Sequence, residues 1–402
     1  MAITVNITGG LVQLTGNPIW INCSGGSAPA GSSGYKILLK VISEDDKLDG
    51  APFIIPIAPD ADGNAVFDIS GYVDQPVTPV FQYPSVGDVV AYQSQAFNVQ
   101  LQAGERYWDS DGTLQEVWGA VESDIIQMLK GGTNPRQNSA MRDASINFYS
   151  LYVEGKRWLT TRPWGETVHP EQNIKLWFMV EASKSATLHL VTHYNDDSTN
   201  DYASESLSLN PDYLYEFNCN PALKGVDLEP TGKYAVFFDA YLDFGGGDLS
   251  FSRRFYFYRK HIERPLFFFF ANSLGGIDDV FLFGHIKGNF TSESSIVERH
   301  QLSSDTVYDA TLSESGKTGQ DGWVASVGWK YVNDLPTFRD FLLGRRVWFL
   351  FANVNPMSFH VIPVIIKAGT YDLYNRQNDI DTFDIPFIEA HRSPYIYDNG
   401  IL

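Results

Sequence analysis

Short apolar runs, separated by turns rich in glycine, proline and asparagine, constrain the fold of this chain more than any other feature. In one such run, Ile37, Leu39 and Val41 share one face of an extended chain. Similar runs cover 53–57, 65–69 and 97–101. Strands spaced this closely, without intervening helices, are typical of an antiparallel sandwich. We therefore predict a mainly β protein made of consecutive antiparallel β-sandwich (Ig-like) domains.

The composition supports this fold class and argues against one class of partner. The 402 residues include 27 Phe, 21 Tyr and 9 Trp but only 5 Met, a balance that favours strands and turns over helices. The formal net charge is −19, and a negative field repels a phosphate backbone before contact. We therefore expect no nucleic-acid partner.

Two further features bear on membranes and export. The most apolar run, 265–271, is far shorter than the roughly 20 residues that a membrane helix needs. The first seven residues lack the basic and apolar regions of a secretory signal. We therefore expect no membrane span and no export by the classical route.

Turn-rich stretches divide the chain into three predicted domains. The run from 131 to 138 is rich in glycine and polar residues and is predicted to be a linker. A second boundary is placed before the apolar run that opens at Leu266. The predicted domains are residues 1–138, 139–262 and 263–402.

The third predicted domain contains the one clear helix signal. The stretch 335–343 has Asp334 before it as a possible cap, Pro336 in its first turn and Gly344 as a stop. We predict a short helix there, followed by more strands. The tail, 392–402, is predicted to be an extended arm.

The stretch 113–130 is ambiguous between helix and strand. Leu114, Val117, Val121 and Ile125 fall near helical spacing, but Val117, Val121 and Ile125 also lie on one face of an extended chain. The strand-rich surroundings favour a strand slightly, and both interpretations stay open here.

The stretch 236–257 predicts a β-hairpin around the turn 245–248. On the inward face, Leu249 and Phe251 are expected to continue the apolar row of the returning strand. On the opposite face, Asp239 and Asp243 could meet Arg254 across the strands.

Motifs for nucleotide binding and nucleophilic catalysis are incomplete. Residues 315–318 read SGKT, which matches the end of a phosphate-binding loop. Thr311, however, occupies the position where that loop needs glycine. The sequence has neither a GxSxG nor a GxGxxG motif. We therefore predict no catalytic residues and classify the protein as a non-enzyme. An enzyme that acts on glycans stays open as the last alternative, because paired carboxylates leave no recognisable spacing among the 48 acidic residues.

Candidate metal ligands also fail on spacing. His189 and His193 would lie about 13 Å apart in a strand that rises roughly 3.3 Å per residue, too far for one ion. The Asp-rich stretches 60–64 and 109–112 resemble calcium loops but are better explained as hairpin turns. Two cysteines, Cys23 and Cys219, are too few for a zinc site and are predicted to be buried thiols. We predict no metal and no cofactor.

Three tryptophans are candidates for stacking on sugar rings. They are Trp158, Trp164 and Trp177. Aromatic side chains in a sandwich lie in the core more often than on a binding surface. A glycan-binding role for them is therefore the alternative hypothesis rather than the leading one.

Four stretches together resemble a known protein family. They read TGNPI at 15–19, FDIS at 67–70, WLTTRP at 158–163 and FANSLGGID at 270–278. In this order, over nearly the whole chain, they are similar to virion structural proteins of tailed bacteriophages that infect Bacteroidota, including crAss-like phages. The resemblance implies a β-rich tail, baseplate or neck component that assembles in the bacterial cytoplasm without a cofactor.

The last of these stretches also has an interpretation from its own residues. Asn272, Gly275, Gly276 and Asp278 are predicted to form a tight turn in which the Asn and Asp side chains bond the turn backbone.

The sequence thus predicts a noncatalytic virion subunit of the tail or host-attachment apparatus. Its expected partners are other virion proteins, in a symmetric homo-oligomer or ring. The alternatives are a receptor- or carbohydrate-binding adhesin and a baseplate component of a phage-derived contractile injection system.

Overall fold

The protein is mainly β, as predicted. The computed structural model describes residues 3–43, 52–74, 89–92, 96–121, 124–133, 139–141, 143–211, 213–260, 265–298, 312–328, 330–331, 334–352, 359–371, 380–381 and 383–390. The predicted arm at 392–402 lies outside these ranges. Among the described residues, no helix is long and apolar enough to cross a membrane.

Ten strands lie among the described residues between Thr4 and Leu129. The strands are β1 (Thr4–Ile7), β2 (Val12–Leu14), β3 (Trp20–Ser24), β4 (Ser33–Ser43), β5 (Phe53–Ile57), β6 (Ala65–Asp68), β7 (Val89–Tyr92), β8 (Ala96–Trp108), β9 (Leu114–Val121) and β10 (Ile126–Leu129). One helical turn, α1 (Ser70–Val73), follows β6.

The middle of the chain adds a π-helical turn at Tyr149–Glu154, a 3-10 turn at Ala222–Lys224 and further strands. These are β11 (Glu166–Val168), β12 (Lys175–Phe178), β13 (Lys184–Tyr194), β14 (Thr199–Ala203), β15 (Leu207–Leu209), β16 (Leu214–Asn218), β17 (Ala235–Asp243) and β18 (Arg253–Phe257).

The C-terminal part combines strands with the predicted helix. The strands are β19 (Leu266–Ala271), β20 (Ile277–Leu282), β21 (Ile286–Glu298), β22 (Leu312–Ser326), β23 (Lys330–Tyr331), β24 (Val347–Ala352), β25 (Phe359–Ile366), β26 (Ile380–Asp381) and β27 (Asp384–Glu389). The helix is α2 (Leu335–Leu343), with Gly344 at its C-cap, so its predicted span is confirmed.

The chain divides into two compact units. The first unit comprises Met1–Gly165, Asn173–Tyr256 and Ala271–Asp278, and the second comprises the remaining residues. The division into domains 1–138, 139–262 and 263–402 stays a prediction.

Two sheets in the first unit enclose a shared apolar core, as expected for a β-sandwich. One sheet has the order β1-β3-β6, and the other has the order β2-β10-β8-β4-β5 with β9 on β8. Ile21 and Phe67 come from the first sheet, and Leu39 and Phe97 come from the second; all four are fully buried in one cluster. Alternation along each strand places these side chains inward.

In the stretch left open between helix and strand, the described residues 113–121 and 124–130 contain the strands β9 and β10 and no helix. β9 pairs antiparallel with β8, and the register joins Trp108 to Leu114. Asp109 closes the hairpin, because its Oδ1 accepts hydrogen bonds from the backbone N–H groups of Asp111 at 3.0 Å and Thr113 at 2.8 Å. Asp60 makes the equivalent bonds to Asp62 and Asn64. The 109–112 stretch is a hairpin turn, as predicted. The 60–64 stretch is a turn as well, but it connects β5 of one sheet to β6 of the other, so the hairpin predicted there is wrong.

Two more sheets of the first unit involve the middle of the chain. β13, β14 and β17 form one sheet with β18, in the order β18-β17-β13-β14, and β15 also pairs with β13. β7 pairs antiparallel with β16, which in turn pairs with β12. A strand from the N-terminal part of the chain therefore completes a sheet of the middle part.

The predicted hairpin is confirmed with one correction. Arg254 forms a bidentate pair with Asp239 at 2.8 Å for both contacts. Leu249 and Phe251 are 50% and 48% exposed, so their predicted inward placement is wrong. The reason is that β18 begins only at Arg253, which leaves both residues in the connection before the strand.

The second unit is built on one large sheet. Its strand order is β20-β19-β24-β25-β27-β22-β21. Phe268 and Phe270 of β19 lie in a core cluster with Phe338 and Phe341 of α2. The helix therefore covers one face of the sheet, and its aromatic stripe is explained by this burial.

Candidate functional site

The four stretches that carry the family resemblance meet in the first unit. Asp68, from the 67–70 stretch, accepts hydrogen bonds through Oδ1 from the backbone N–H groups of Ile19 and Ser70, both at 3.0 Å. This carboxylate therefore fixes the end of the 15–19 stretch against the end of β6.

The 15–19 stretch in turn contacts residues 131–133. Gly16 N–H donates to the carbonyl oxygen of Gly131 at 2.5 Å, and Asn17 Oδ1 accepts from Thr133 N–H at 2.8 Å. A Cβ atom at Gly16 would lie 2.6 Å from the Gly131 oxygen. Glycine is therefore required at position 16 by close approach of two backbones.

Residues 131–132 contact the turn that carries the fourth stretch. Gly132 N–H donates to the carbonyl oxygen of Ser273 at 2.8 Å. A Cβ atom at Gly131 would lie 2.5 Å from the same oxygen, so a larger residue is excluded there. The glycines of the predicted linker are thus packing positions.

Asn272 organises the turn itself. Its Oδ1 accepts from the backbone N–H groups of Leu274 at 3.0 Å and Gly276 at 2.9 Å. Its Nδ2 donates to the carbonyl oxygen of Leu159 at 2.9 Å. Gly275 has φ +93°, a left-handed conformation that favours glycine. Asn272 therefore bridges its own turn and also connects it to the 158–163 stretch.

Asp278 bonds the 158–163 stretch and the Asn272 side chain, which differs from the backbone role expected for it. The carboxylate is fully buried and accepts from Thr160 Oγ1 at 2.9 Å and from Thr161 N–H at 3.3 Å. Arg162, also fully buried, places its Nε 3.7 Å from Asp278 Oδ1. We call Thr160, Arg162, Asn272 and Asp278 the motif junction.

Burial raises the pKa of Asp278, although Arg162 and the hydrogen bonds oppose this effect. The folded protein therefore holds this proton more tightly than the unfolded chain does. By linkage, the contribution of Asp278 to stability is greatest below the unfolded pKa of about 4 and falls as the pH rises through the folded pKa.

This linkage predicts how an Asp278→Asn variant should behave. The amide does not titrate, so the free energy of unfolding of the variant should rise relative to wild type as the pH increases from about 4. Urea unfolding of both proteins across this interval measures the difference. A difference independent of pH would contradict the raised pKa.

Two of the three candidate sugar-stacking tryptophans are core residues. Trp158 and Trp177 are fully buried; Trp158 packs edge-on against Phe178, and Trp177 Nε1 donates to the carbonyl oxygen of Ile277 at 2.6 Å. A ring without an exposed face cannot stack on a ligand. The glycan-stacking role considered for Trp158 and Trp177 is therefore wrong.

The buried ring of Trp177 leaves no space for a side chain at position 276. A Cβ atom at Gly276 would lie 2.7 Å from Trp177 Cγ and 2.9 Å from the carbonyl oxygen of Leu159. These distances are too short for a side chain, so Gly276 lets the turn pack directly on the indole ring.

Trp164 differs from the other two because it is 55% exposed. The guanidinium of Arg254 lies 5.1 Å from its ring centre. On the same sheet, His189 stacks on Tyr241 at 5.1 Å between ring centres, and His193 stacks on Phe237 at 4.3 Å. These rings lie on the partly exposed face of the β13–β17–β18 sheet.

The histidines of this sheet pair with carboxylates. His189 Nδ1 lies 3.0 Å from Asp201 Oδ2, and His193 Nε2 lies 3.5 Å from Asp239 Oδ2. Each histidine thus has its own acidic neighbour. Within the described part of the chain, no group of three or more His, Cys, Asp or Glu residues is placed to hold a metal ion.

Both cysteines are buried free thiols, as predicted. Burial raises the pKa of Cys23 to about 12. Since the thiolate is the reactive form, burial disfavours reaction of Cys23 at neutral pH.

The sequence did not reveal the partners of Asp278 or a buried ion pair between Lys175 and Glu216. Thr160 and Asp278 are 118 positions apart, and no local pattern joins them. The signal in the sequence was that Thr160 and Asp278 each belong to a stretch that resembles the same family. No family model and no curated protein sequence matches the chain.

Proposed function

We propose that this chain is a noncatalytic structural subunit of a tailed-phage virion, in the tail or host-attachment apparatus, and that it assembles through protein–protein contacts. The observation that carries the proposal is a long β-ribbon in the second unit. The resemblance of the four stretches to virion proteins suggests that the assembly is a phage particle.

The ribbon is formed by the distal parts of β21 and β22. The two strands pair antiparallel from Ile286 and Ala325 out to Glu298 and Leu312. β27 pairs with β22 only over Gly322–Ser326. We call residues 291–298 and 312–320 the β-ribbon; at roughly 3.3 Å per residue, its first strand extends for about 25 Å.

The β-ribbon has properties of an association surface. β21 is the edge strand of its sheet, and an edge strand presents backbone groups that can pair with another chain. Phe290, at the base of the ribbon, is 50% exposed, and Ile296 within it is 69% exposed. A two-stranded ribbon is marginally stable by itself, so pairing with neighbouring subunits would stabilise it. Repeated contacts of this kind close into symmetric rings.

The proposal places the protein in the virion after assembly in the bacterial cytoplasm, in contact with other virion proteins and without a cofactor. Mass spectrometry of purified particles tests it directly. Detection in stoichiometric amounts, with electron microscopy that locates the subunit in the tail, is the expected result. Absence from the particle would refute the proposal.

A double substitution tests the role of the β-ribbon. Replacing Phe290 and Ile296 with lysine should abolish self-association while leaving the fold intact, because both side chains are exposed and lysine opposes edge pairing. Size-exclusion chromatography with light scattering measures the mass of the assembly.

The matched control is Ile365→Lys, since Ile365 is 52% exposed on β25 of the same sheet. It should leave the mass unchanged. A wild-type protein that stays monomeric at every concentration, or a control that dissociates equally, would contradict assembly through the ribbon.

The second candidate function is a receptor- or carbohydrate-binding adhesin, favoured by the exposed ring of Trp164 beside Arg254. A Trp164→Ala variant that loses glycan-array signal present in wild type would support it. Silence of the wild-type protein would count against it. A baseplate component of a phage-derived contractile injection system would use the same ribbon, and the particle in which the protein is found distinguishes that case.

A further inference from the structure

A cleft of about 490 Å³ opens beside the 15–19 stretch in the first unit. Ligand pockets commonly span about 300 to 1,000 Å³. The described residues that line the cleft carry no charged side chain, and they include three amides and four Ser or Thr hydroxyls. The amides are Gln13, Asn17 and Asn147.

Asn17 presents a hydrogen-bond donor with no partner in the described structure. The residue is only 8% exposed. Its Oδ1 is fixed as the acceptor for Thr133 N–H at 2.8 Å. Its Nδ2 makes no hydrogen bond to a described residue and keeps solvent access. An amide nitrogen has two donor hydrogens to satisfy.

Gln13 presents the complementary acceptor. It too is 8% exposed, and its Nε2 donates to the carbonyl oxygens of Gly10 at 2.7 Å and Thr8 at 3.2 Å. These backbone partners orient the amide, so Oε1 is the atom left without a partner among the described residues. Gly9 makes room for this amide, because a Cβ atom there would lie 2.8 Å from Gln13 Nε2.

An aromatic ring completes the arrangement. Trp20 lines the cleft and is 42% exposed. An exposed indole provides a flat apolar face beside the fixed donor and acceptor. A sugar ring matches this combination, since it has an apolar C–H face and hydroxyl groups that donate and accept hydrogen bonds.

The charge of the protein narrows the ligand class. The formal net charge of −19 disfavours an anionic ligand, and the cleft has no cationic side chain among its described residues to offset this. We propose that the cleft binds a neutral oligosaccharide, with Trp20 stacking on one ring and with Asn17 Nδ2 and Gln13 Oε1 bonding its hydroxyls. This site is separate from Trp164 and does not depend on the virion proposal.

Saturation-transfer NMR on the full chain tests the site with neutral trisaccharides as probes: maltotriose, cellotriose, mannotriose and N,N′,N″-triacetylchitotriose. At least one should bind wild type in the millimolar range. Trp20→Ala removes the stacking face. Asn17→Asp keeps the oxygen that accepts from Thr133 and removes the donor. Each should weaken binding by about tenfold or more.

An exposed tryptophan outside the cleft provides a matched control. Trp108→Ala, at a position 48% exposed, should bind the same probe as wild type. Circular dichroism melting identifies any variant that has not folded. If either Asn17→Asp or Trp20→Ala does not fold, the other variant still tests the site. No saturation transfer to any probe at about 10 mM, or loss of binding in Trp108→Ala with retention in Trp20→Ala, would overturn the proposal. Neither result bears on whether the protein is found in virions.

Discussion

Replacing Lys175 with methionine should lower the free energy of unfolding by about 3 to 5 kcal/mol, because it leaves a carboxylate buried without its cation. Lys175 Nζ lies 2.7 Å from Glu216 Oε1, and the two side chains are 0% and 2% exposed. Glu216 also accepts a hydrogen bond from Tyr92 at 3.1 Å. Urea denaturation followed by tryptophan fluorescence measures the loss.

The double variant Lys175→Met/Glu216→Gln separates the charge effect from packing. It removes both charges and keeps an oxygen acceptor for Tyr92, so it should recover most of the stability lost in the single variant. Tyr92→Phe removes only the hydrogen bond to this carboxylate and should cost about 2 kcal/mol. A single variant as stable as wild type, or a double variant less stable than Lys175→Met, would contradict this account.

This ion pair could not be predicted from the sequence. Lys175 precedes the apolar residues of β12, and a lysine in a strand usually faces water. Its burial depends on Glu216 of β16 and on Tyr92 of β7, and β7 reaches this sheet from the N-terminal part of the chain. A strand that pairs far from its sequence neighbours leaves no periodic signal.

Local features were predictable because nearby residues determine them. The hairpin that joins Asp239 to Arg254 and the turn at Asp109 each follow from residues less than 20 positions apart. The stretch 113–130 has apolar spacing compatible with two structures, and its pairing with β8 decided between them. The β-ribbon was not predicted, since its strands are rich in polar residues and lack regular apolar alternation.

Glycine-rich stretches carried more information than their composition suggested. The run 131–138 was interpreted as a linker because glycine, proline and polar residues mark turns and loops, and residues 134–138 of this run lie outside the described ranges. A Cβ atom at Gly131 would instead lie 2.5 Å from the Ser273 oxygen, which excludes a side chain, and one at Gly132 would lie in close contact with the Gly16 backbone at 3.0 Å. Composition alone cannot distinguish glycine selected for flexibility from glycine selected for close packing.

Replacing Asp278 with alanine should destabilise the protein by about 3 to 5 kcal/mol, the usual cost of removing one partner of a buried ion pair. The variant leaves the Arg162 guanidinium in the interior without this carboxylate, and Thr160 loses its acceptor. Because the same carboxylate connects the 158–163 and 270–278 stretches, proteolysis near either stretch should accelerate with the loss of stability.

Asp278→Asn is the matched control, since its amide oxygen still accepts from Thr160 while its charge is lost. Chemical denaturation at neutral pH should therefore rank wild type first, the asparagine variant second because it also leaves Arg162 without a carboxylate, and the alanine variant last. If asparagine and alanine destabilise equally, the hydrogen bonds of Asp278 contribute nothing and the ion pair alone connects the stretches. If neither variant is destabilised, the motif junction does not stabilise the fold, and the convergence of the four stretches would need a different physical explanation.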